Sequence, residues 1–581
     1  MNDIAMINAI KELAGVPAVR NDGDEISCIL RSNKNALDYH RLNLDRCIEN
    51  WKYYWGLYNQ QGMGQFDASA LAQMNDENRE VMTFNLCRPI IDTIAGGLMM
   101  LPIDPDFYPV DDEVTSLTIA MKKAMYSDKD LLDWQSAFFQ ADTHGLIFEA
   151  VLRYVISYEY NELGNLGFEV KLPGSVIADP YWKSPRSKDC KKCWEELWLT
   201  PARMIELWPE KEDMIRRNMR EYKKKREEYR ADEFGNYTGI IPYHTSEEAW
   251  GQALRVIQQY RVEEKTIDME IALTASGEHE IPQMEDLDKP EWLNRNVPEW
   301  HPEYVYKKKR TIRHCDVDVV CPSLSTSEKL ASGPCEIQIG CLPFKWWSAA
   351  RMNGESSSSM DSVISIQKSY NYLHNMVMHK LQVQGVGGAT MIDGAGFSSE
   401  REKQKAVHNL NVPGEVIQVA DGVLLGGRSP VKQAIEYGNQ GVSEAYQQMN
   451  HLIDRDIPFV TKVTAVTRGM GTDSNTSGYL YRQQKIQADQ QLYSIHLSRR
   501  NFYIELFDGW LTQAIQLYSN EGLERTFGEG ENKTVLNERS QLPDGTEIIK
   551  NDVSSLKNIR HKIIVDETQQ SPTDKIEMIV L

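Results

Sequence analysis

No stretch of this chain is both long and apolar enough to enter a bilayer as a helix. The longest candidate, Pro89 to Leu101, is interrupted by Asp92 and falls well short of the ~20 residues a spanning helix needs. Cysteine is sparse, nine in 581 residues. An odd number without a secretion signal argues against a disulfide framework and for free thiols in a reducing compartment. The first residues, "MNDIAMINAIKELAG", carry Asp3 and no basic n-region, so no signal peptide and an intracellular start are expected. Positive charge is in deficit, with a formal net charge of -20. Wrapping nucleic acid on a basic surface is therefore disfavoured, because that binding depends on Lys and Arg replacing phosphate counterions. A protein that lets nucleic acid slide past remains open.

Catalytic signatures are missing as well. The sequence contains no Gly-x-Ser-x-Gly elbow, His-Glu-x-x-His helix or kinase set, and its carboxylate clusters, such as Asp111, Asp112 and Glu113, fall in loop-like sequence. No catalytic residue, metal or cofactor is expected. The stretch "RGMGTDSNTSGYLYRQQ", Arg468 to Gln484, has the glycines of a phosphate loop. A P-loop needs Lys and Ser or Thr after its last glycine, and here Tyr479 and Leu480 follow Gly478. The dinucleotide fingerprint fails on spacing. What remains is a mobile polar loop or a plain linker between two helices.

The rest is an α+β chain. Helices are expected at Asn35 to Tyr58, Arg88 to Met100, Val114 to Tyr126 and Leu131 to Thr143, and strands in "GLIFEAVLRYVISYEY" and through "FEVKLPGSVIADPYWKSPRSKDCKKCWEELWLT". A short helix opens with Thr200 as N-cap and Pro201 at its first position. The run 211–230 reads as a solvated charged helix, and 253–275 as two strands. A helix at Met360 to Leu381 carries Val363, Ile366, Tyr370, Leu373 and Val377 three and four apart, the seam of a helix packed along another helix. Further helices are expected at Pro430 to Asp454 and from Gly478 to Tyr518, the latter with a stripe of Tyr503, Phe507, Trp510, Ala514 and Tyr518. Short strands near Thr534 and Ile563 close the chain.

"VYKKKRTIRHCDVDVVCPSLSTSEKLASGPCEIQIGC" reads as a pair of strands, with Cys315, Val317, Val319 and Cys321 on one face of the first and Cys335, Ile337, Ile339 and Cys341 on one face of the second. The cysteines are paired at five intervening residues, a poor spacing for structural zinc. Buried thiols are expected, and "CKKC" at Cys190 and Cys193 reads as a surface turn. Lys307, Lys308, Lys309 and Arg310, with Arg313, open the pair. They could meet phosphates, dock an acidic protein, or form a solvated edge that discourages sheet pairing.

In order, "FNLCRPIIDTIAGGLMMLPID", "ADTHGLIFEAVLRYVISYEY" and "PGSVIADPYWKSPRSKDCKKCWEELWLT" resemble the wing of portal proteins of short-tailed double-stranded DNA phages. The lysine-rich strand pair and the Met360 to Leu381 helix resemble the clip and second stem helix, and "NTSGYLYRQQ" before a long helix resembles the tunnel loop. The resemblance implies a portal fold with a mixed α/β wing, helical stem, β-rich clip and long C-terminal helix, assembled as a ring. It implies a wing over 1–250, a transition and first stem segment over 251–303, and a clip over 304–345. A second stem helix over 346–383, a stem-to-wing segment over 384–461, a tunnel loop over 462–478 and a crown base over 479–581 follow. Arg468, Gly469, Gly471, Thr472, Asp473, Ser474, Asn475 and Thr476 would then face a DNA channel. The implied partners are other copies in a ring, usually of twelve, double-stranded DNA, the terminase large subunit, head-tail adaptor and tail proteins, and the major capsid and scaffolding proteins, with no membrane. The virion's portal vertex is the implied location, after assembly in the host cytoplasm. The chain ends at Leu581, shortly after a helix start at Ser571 and Pro572, so no long C-terminal barrel is expected. A metal-dependent nucleic-acid enzyme and another head-tail structural protein are the alternatives.

Overall fold

The computed structural model describes residues 22–218, 254–385 and 492–566, each with short breaks, together with strands at 389–392 and 431–435 and a few isolated residues. The expected tunnel loop, 462–478, lies outside the described residues, as do 219–253 and most of the helix expected after Pro430.

The first described elements are α1 (Asp22–Trp55), α2 (Ala68–Asp76) and α3 (Cys87–Met99). Then come β1 (Asp104–Pro109), α4 (Thr115–Leu131), α5 (Trp134–Ile147), β2 (Ala150–Ser157), β3 (Asn165–Val170), β4 (Val176–Ala178), β5 (Lys192–Leu199) and α6 (Pro201–Leu207). Next are β6 (Leu254–Thr274), β7 (Gly277–Ile281), β8 (Val305–Val320), β9 (Ala331–Pro334), β10 (Phe344–Trp347), α7 (Val363–Gly385) and α8 (Tyr493–Tyr518). The α+β class holds. Thr200 caps α6, its side chain accepting from the Arg203 N–H at 3.4 Å ahead of Pro201.

The main core lies where α3, α4, α5 and α8 pack on the antiparallel sheet β10-β2-β3. The α8 stripe supplies its centre: Tyr503, Phe507, Trp510, Ala514 and Tyr518 are all buried. Phe107 of β1 stacks on Trp510 at 6.2 Å, and Trp134 meets that ring edge-on at 6.0 Å. β1 pairs in turn with the strand His561–Asp566, tying the chain's last described strand to this core. Packing is close enough that a Cβ on Gly145 would fall 1.6 Å from the Trp347 ring. One ion pair crosses the core: Arg499 of α8 holds Asp142 of α5 through Nε and Nη2, at 2.9 to 3.1 Å, with the Tyr503 hydroxyl donating to the same carboxylate. Both ions are essentially sealed from water.

The second layer is the sheet β4-β5-β6-β8-β9, with β7 on the far end of β6. Here the structure corrects four expectations. Residues 254–274 form one 21-residue strand rather than two. β8 pairs chiefly with β6, from Ile257 opposite Val320 to Ala272 opposite Val305. Its other partner is the four-residue β9, and Cys335 to Cys341 is not a strand. Those residues alternate in sequence because Cys335, Ile337, Ile339 and Cys341 are buried. Gln338 among them bonds to helix side chains: its N–H donates to Gln513 of α8 at 2.9 Å, and Gln516 donates to its carbonyl at 2.9 Å. The "CKKC" stretch is not a surface turn either, since Cys190 and Cys193 are both buried and Cys193 sits in β5. Finally, Val431–Ile435 forms a strand paired with Ala389–Ile392 where a helix was expected to begin.

Candidate functional site

Beyond the end of β5, β6 and β8 continue as a ribbon that β7 joins from Glu270 onward, and the basic run is on it. Opposite residues in an antiparallel pair share a face. Lys307, Lys309 and Arg313 therefore stand beside Glu270, Asp268 and Glu264. The Lys307 ammonium lies 4.0 Å from Glu270 and is 74% exposed, and Arg313 Nε donates to Glu264 at 3.2 Å. Lys308 and Arg310 alternate with these, opposite Met269 and Ile267 in the register. The run is thus matched, residue for residue on one face, by acids from a strand some forty positions earlier. Sequence reading caught the bases and missed the acids, although the alternate positions 264, 268 and 270 carry the signal.

α7 packs on α1 and on the segment leading into α3. Its 23 residues span ~35 Å at 1.5 Å per residue. Its expected seam is divided by the structure. Val363 and Leu373 are buried in this chain's own core, Ile366 and Tyr370 pack against that core while staying half-exposed, and Val377 is half-exposed. Its first turns are tied to α1: Arg46 pairs with Asp361 at 2.6 Å and Lys368 with Glu49 at 2.6 Å.

Between these contacts runs a feature the periodicity did not show. Gln367, Asn371 and Asn375, four residues apart, are buried. They grip the extended segment before α3. Gln367 accepts from Leu86 N–H at 2.8 Å and donates to the Phe84 carbonyl at 2.6 Å. Asn371 accepts from Phe84 N–H at 3.2 Å, and Asn375 both accepts from Met82 N–H and donates to its carbonyl. The spacing is physical: four helical residues rise ~6 Å, and two extended residues ~6.6 Å. One amide per turn therefore meets every second peptide, satisfying backbone groups that no strand satisfies.

Among the described residues no cluster of three or more His, Cys, Asp or Glu is arranged to hold a metal, and no helix is long and apolar enough to cross a membrane. One pocket lies between α1, the α5–β2 corner and β4. It is lined by His40, Cys47, Glu149 and Arg351 among others. Its charges are already matched: Glu149 accepts from Arg351 at 2.7 Å and from Ser356 at 2.8 Å. Burial pulls the His40 imidazole below its usual value, and the Cys47 thiol is pushed up, also by burial.

An α/β body, a charged ribbon and a long clasped helix make up the described residues. The family model of phage P22-like portal proteins matches residues 30–579, and the chain belongs to that family. It is a phage portal protein, a structural component of the viral capsid connected with DNA packaging. No curated protein matches the chain in sequence.

Proposed function

We propose that copies of this chain close into a ring at a single capsid vertex. Double-stranded DNA enters through the ring under a terminase motor and later leaves through it, and tail components attach to its outer end. The observation that carries this reading is the match of the portal family over nearly the whole chain. The order of body, ribbon and long helix supports it. In this reading the β6–β8 ribbon is the clip, so the clip draws on β6 residues beyond Arg261, where pairing with β5 ends, as well as 304–345. Lys307, Lys308, Lys309, Arg310 and Arg313 present it to the terminase large subunit and then to the head-tail adaptor. The α7 seam meets its copy in the next subunit through Ile366, Tyr370 and Val377. Residues 462–478 form a polar tunnel loop, with Arg468, Gly469, Gly471, Thr472, Asp473, Ser474, Asn475 and Thr476 toward the channel. The portals of short-tailed phages remain the nearest description, with about twelve copies in a closed heterologous ring, contacts to major capsid and scaffolding proteins, and assembly in the host cytoplasm.

The net charge of -20 then has a mechanical meaning. Acidic walls repel phosphates over about a Debye length, ~8 Å at physiological salt, which centres the duplex and lets it slide. The test is packaging in vitro. Capsids assembled with the chain and supplied with terminase and ATP should protect DNA from nuclease. Equal protection by capsids lacking the chain would overturn the proposal.

A further inference from the structure

Seven of the nine cysteines lie in the main buried core, and five of these, Cys190, Cys193, Cys315, Cys335 and Cys341, are in or next to the second sheet. Two of them are directly opposed. In the β8–β9 register Asp316 faces Pro334, so the next pair outward is Cys315 with Cys335, and the Cys335 N–H donates to the Cys315 carbonyl at 2.8 Å. Directly opposed residues of an antiparallel pair have Cα atoms ~4.5–5.5 Å apart, inside the ~4.4–6.8 Å window of a disulfide. Gln338 Nε2 holds this corner by donating to the carbonyls of both cysteines at 2.7 Å.

Two of the other sulfurs are engaged elsewhere. Cys190 donates to the Lys192 carbonyl at 3.2 Å, and Cys341 accepts from the buried Lys345 ammonium at 3.2 Å. We propose that Cys315 and Cys335 are a latent cross-link site, closed to a disulfide by peroxide after the chain leaves a reducing compartment. The neighbouring Cys315 thiol lowers the Cys335 pKa, while the Cys335 sulfur and burial raise that of Cys315. Cys335, 7% exposed where Cys315 is fully buried, is thus the attacking thiolate. Its sulfur displaces hydroxide from hydrogen peroxide to give a sulfenic acid. Cys315 then attacks that sulfur, the S–O bond breaks, and the hydroxide leaving it takes up a proton as water. Overall two thiols and one peroxide give one disulfide and two waters, with both electrons passing from sulfur to peroxide oxygen.

The bond would tie the base of the ribbon to the segment that Gln338 anchors on α8. It requires nothing of the ring or of DNA, so its failure would leave the portal reading untouched. The purified full chain is treated with hydrogen peroxide, quenched, alkylated and mapped by mass spectrometry without reduction. One cross-linked peptide pair is expected, joining Cys315 to Cys335 and ~2 Da lighter than the two thiol peptides together. It should vanish in Cys335→Ser and persist in Cys341→Ser. The melting temperature should rise by a few degrees on oxidation of the wild type. Oxidation of Cys335 to sulfinic acid with no cross-link, or a dominant bond to Cys193 or Cys341, would overturn the assignment, and the wild-type map alone suffices to show either.

Discussion

The side-chain amide of Asn375 exchanges two hydrogen bonds with the peptide groups of Met82, accepting from its N–H at 2.7 Å and donating to its carbonyl at 2.8 Å. It copies the pairing of one strand residue with another, but from a helix. With Asn371 and Gln367 it fixes the register of α7 against the segment leading into α3. A fixed register holds the helix in one position on the body.

The ladder gives the first prediction. Gln367→Leu keeps volume and helix propensity but leaves Leu86 N–H and the Phe84 carbonyl without partners. Each buried group so orphaned costs about 1–3 kcal/mol, and denaturant unfolding should show a loss in that range or above. Tyr372→Ser on the exposed side of the same helix should change stability by less than ~0.5 kcal/mol. Equal effects at the two positions would remove the ladder's role.

A second prediction concerns the buried pair Asp142 and Arg499. Asp142→Ala leaves a guanidinium sealed in the core, and a broken buried pair costs about 3–5 kcal/mol. The double replacement Asp142→Leu with Arg499→Met should recover much of that loss, because no charge is then buried. If the double variant is less stable than Asp142→Ala, the pair acts as more than a satisfied charge couple.

His144, in α5, packs edge-on against Trp51 at 5.0 Å, and burial depresses its pKa from an ordinary 6.5 to about 4. The unfolded chain therefore binds a proton there before the folded chain does. Stability from this group is fully present above pH 6.5 and falls as pH drops toward 4, by about 3 kcal/mol in all. Asp128 pulls the other way, since burial raises its carboxyl to about 6. Comparing His144→Gln with wild type cancels Asp128: the difference in stability should narrow between pH 6.5 and 4. A constant difference would contradict the neutral buried imidazole.

The fourth prediction separates the ribbon's charge from its fold. Replacing Lys307, Lys309 and Arg313 with Gln removes only exposed pairs, worth about 0–1 kcal/mol each, so folding should be unchanged. Docking of the motor or adaptor should slow, with the gap to wild type largest at low salt and closing as salt screens it. Normal docking with failed assembly would place the ribbon in a subunit interface instead.

The α8 stripe could be read from the sequence because apolar residues at helical spacing signal burial on their own. The alternation of Cys335, Ile337, Ile339 and Cys341 signalled burial equally well, but not its cause: Gln338 bonds to α8 and not to a strand. The amide ladder was illegible, since amides every fourth residue look like a solvated face. Only the partner peptides, nearly three hundred positions earlier, show otherwise. The acids facing the basic run were hidden in the same way, because which strand lies beside β8 is a matter of topology and not of local pattern.

The central claim is the ring. Purified full-length chain should be imaged by electron microscopy, with its mass measured by light scattering in the same buffer. The account predicts closed rings with an open centre and a mass near twelve copies, within the closure that a heterologous interface allows. A chain that stays monomeric or pairs only as a two-fold dimer, both alone and when extracted from assembled capsids, would contradict it.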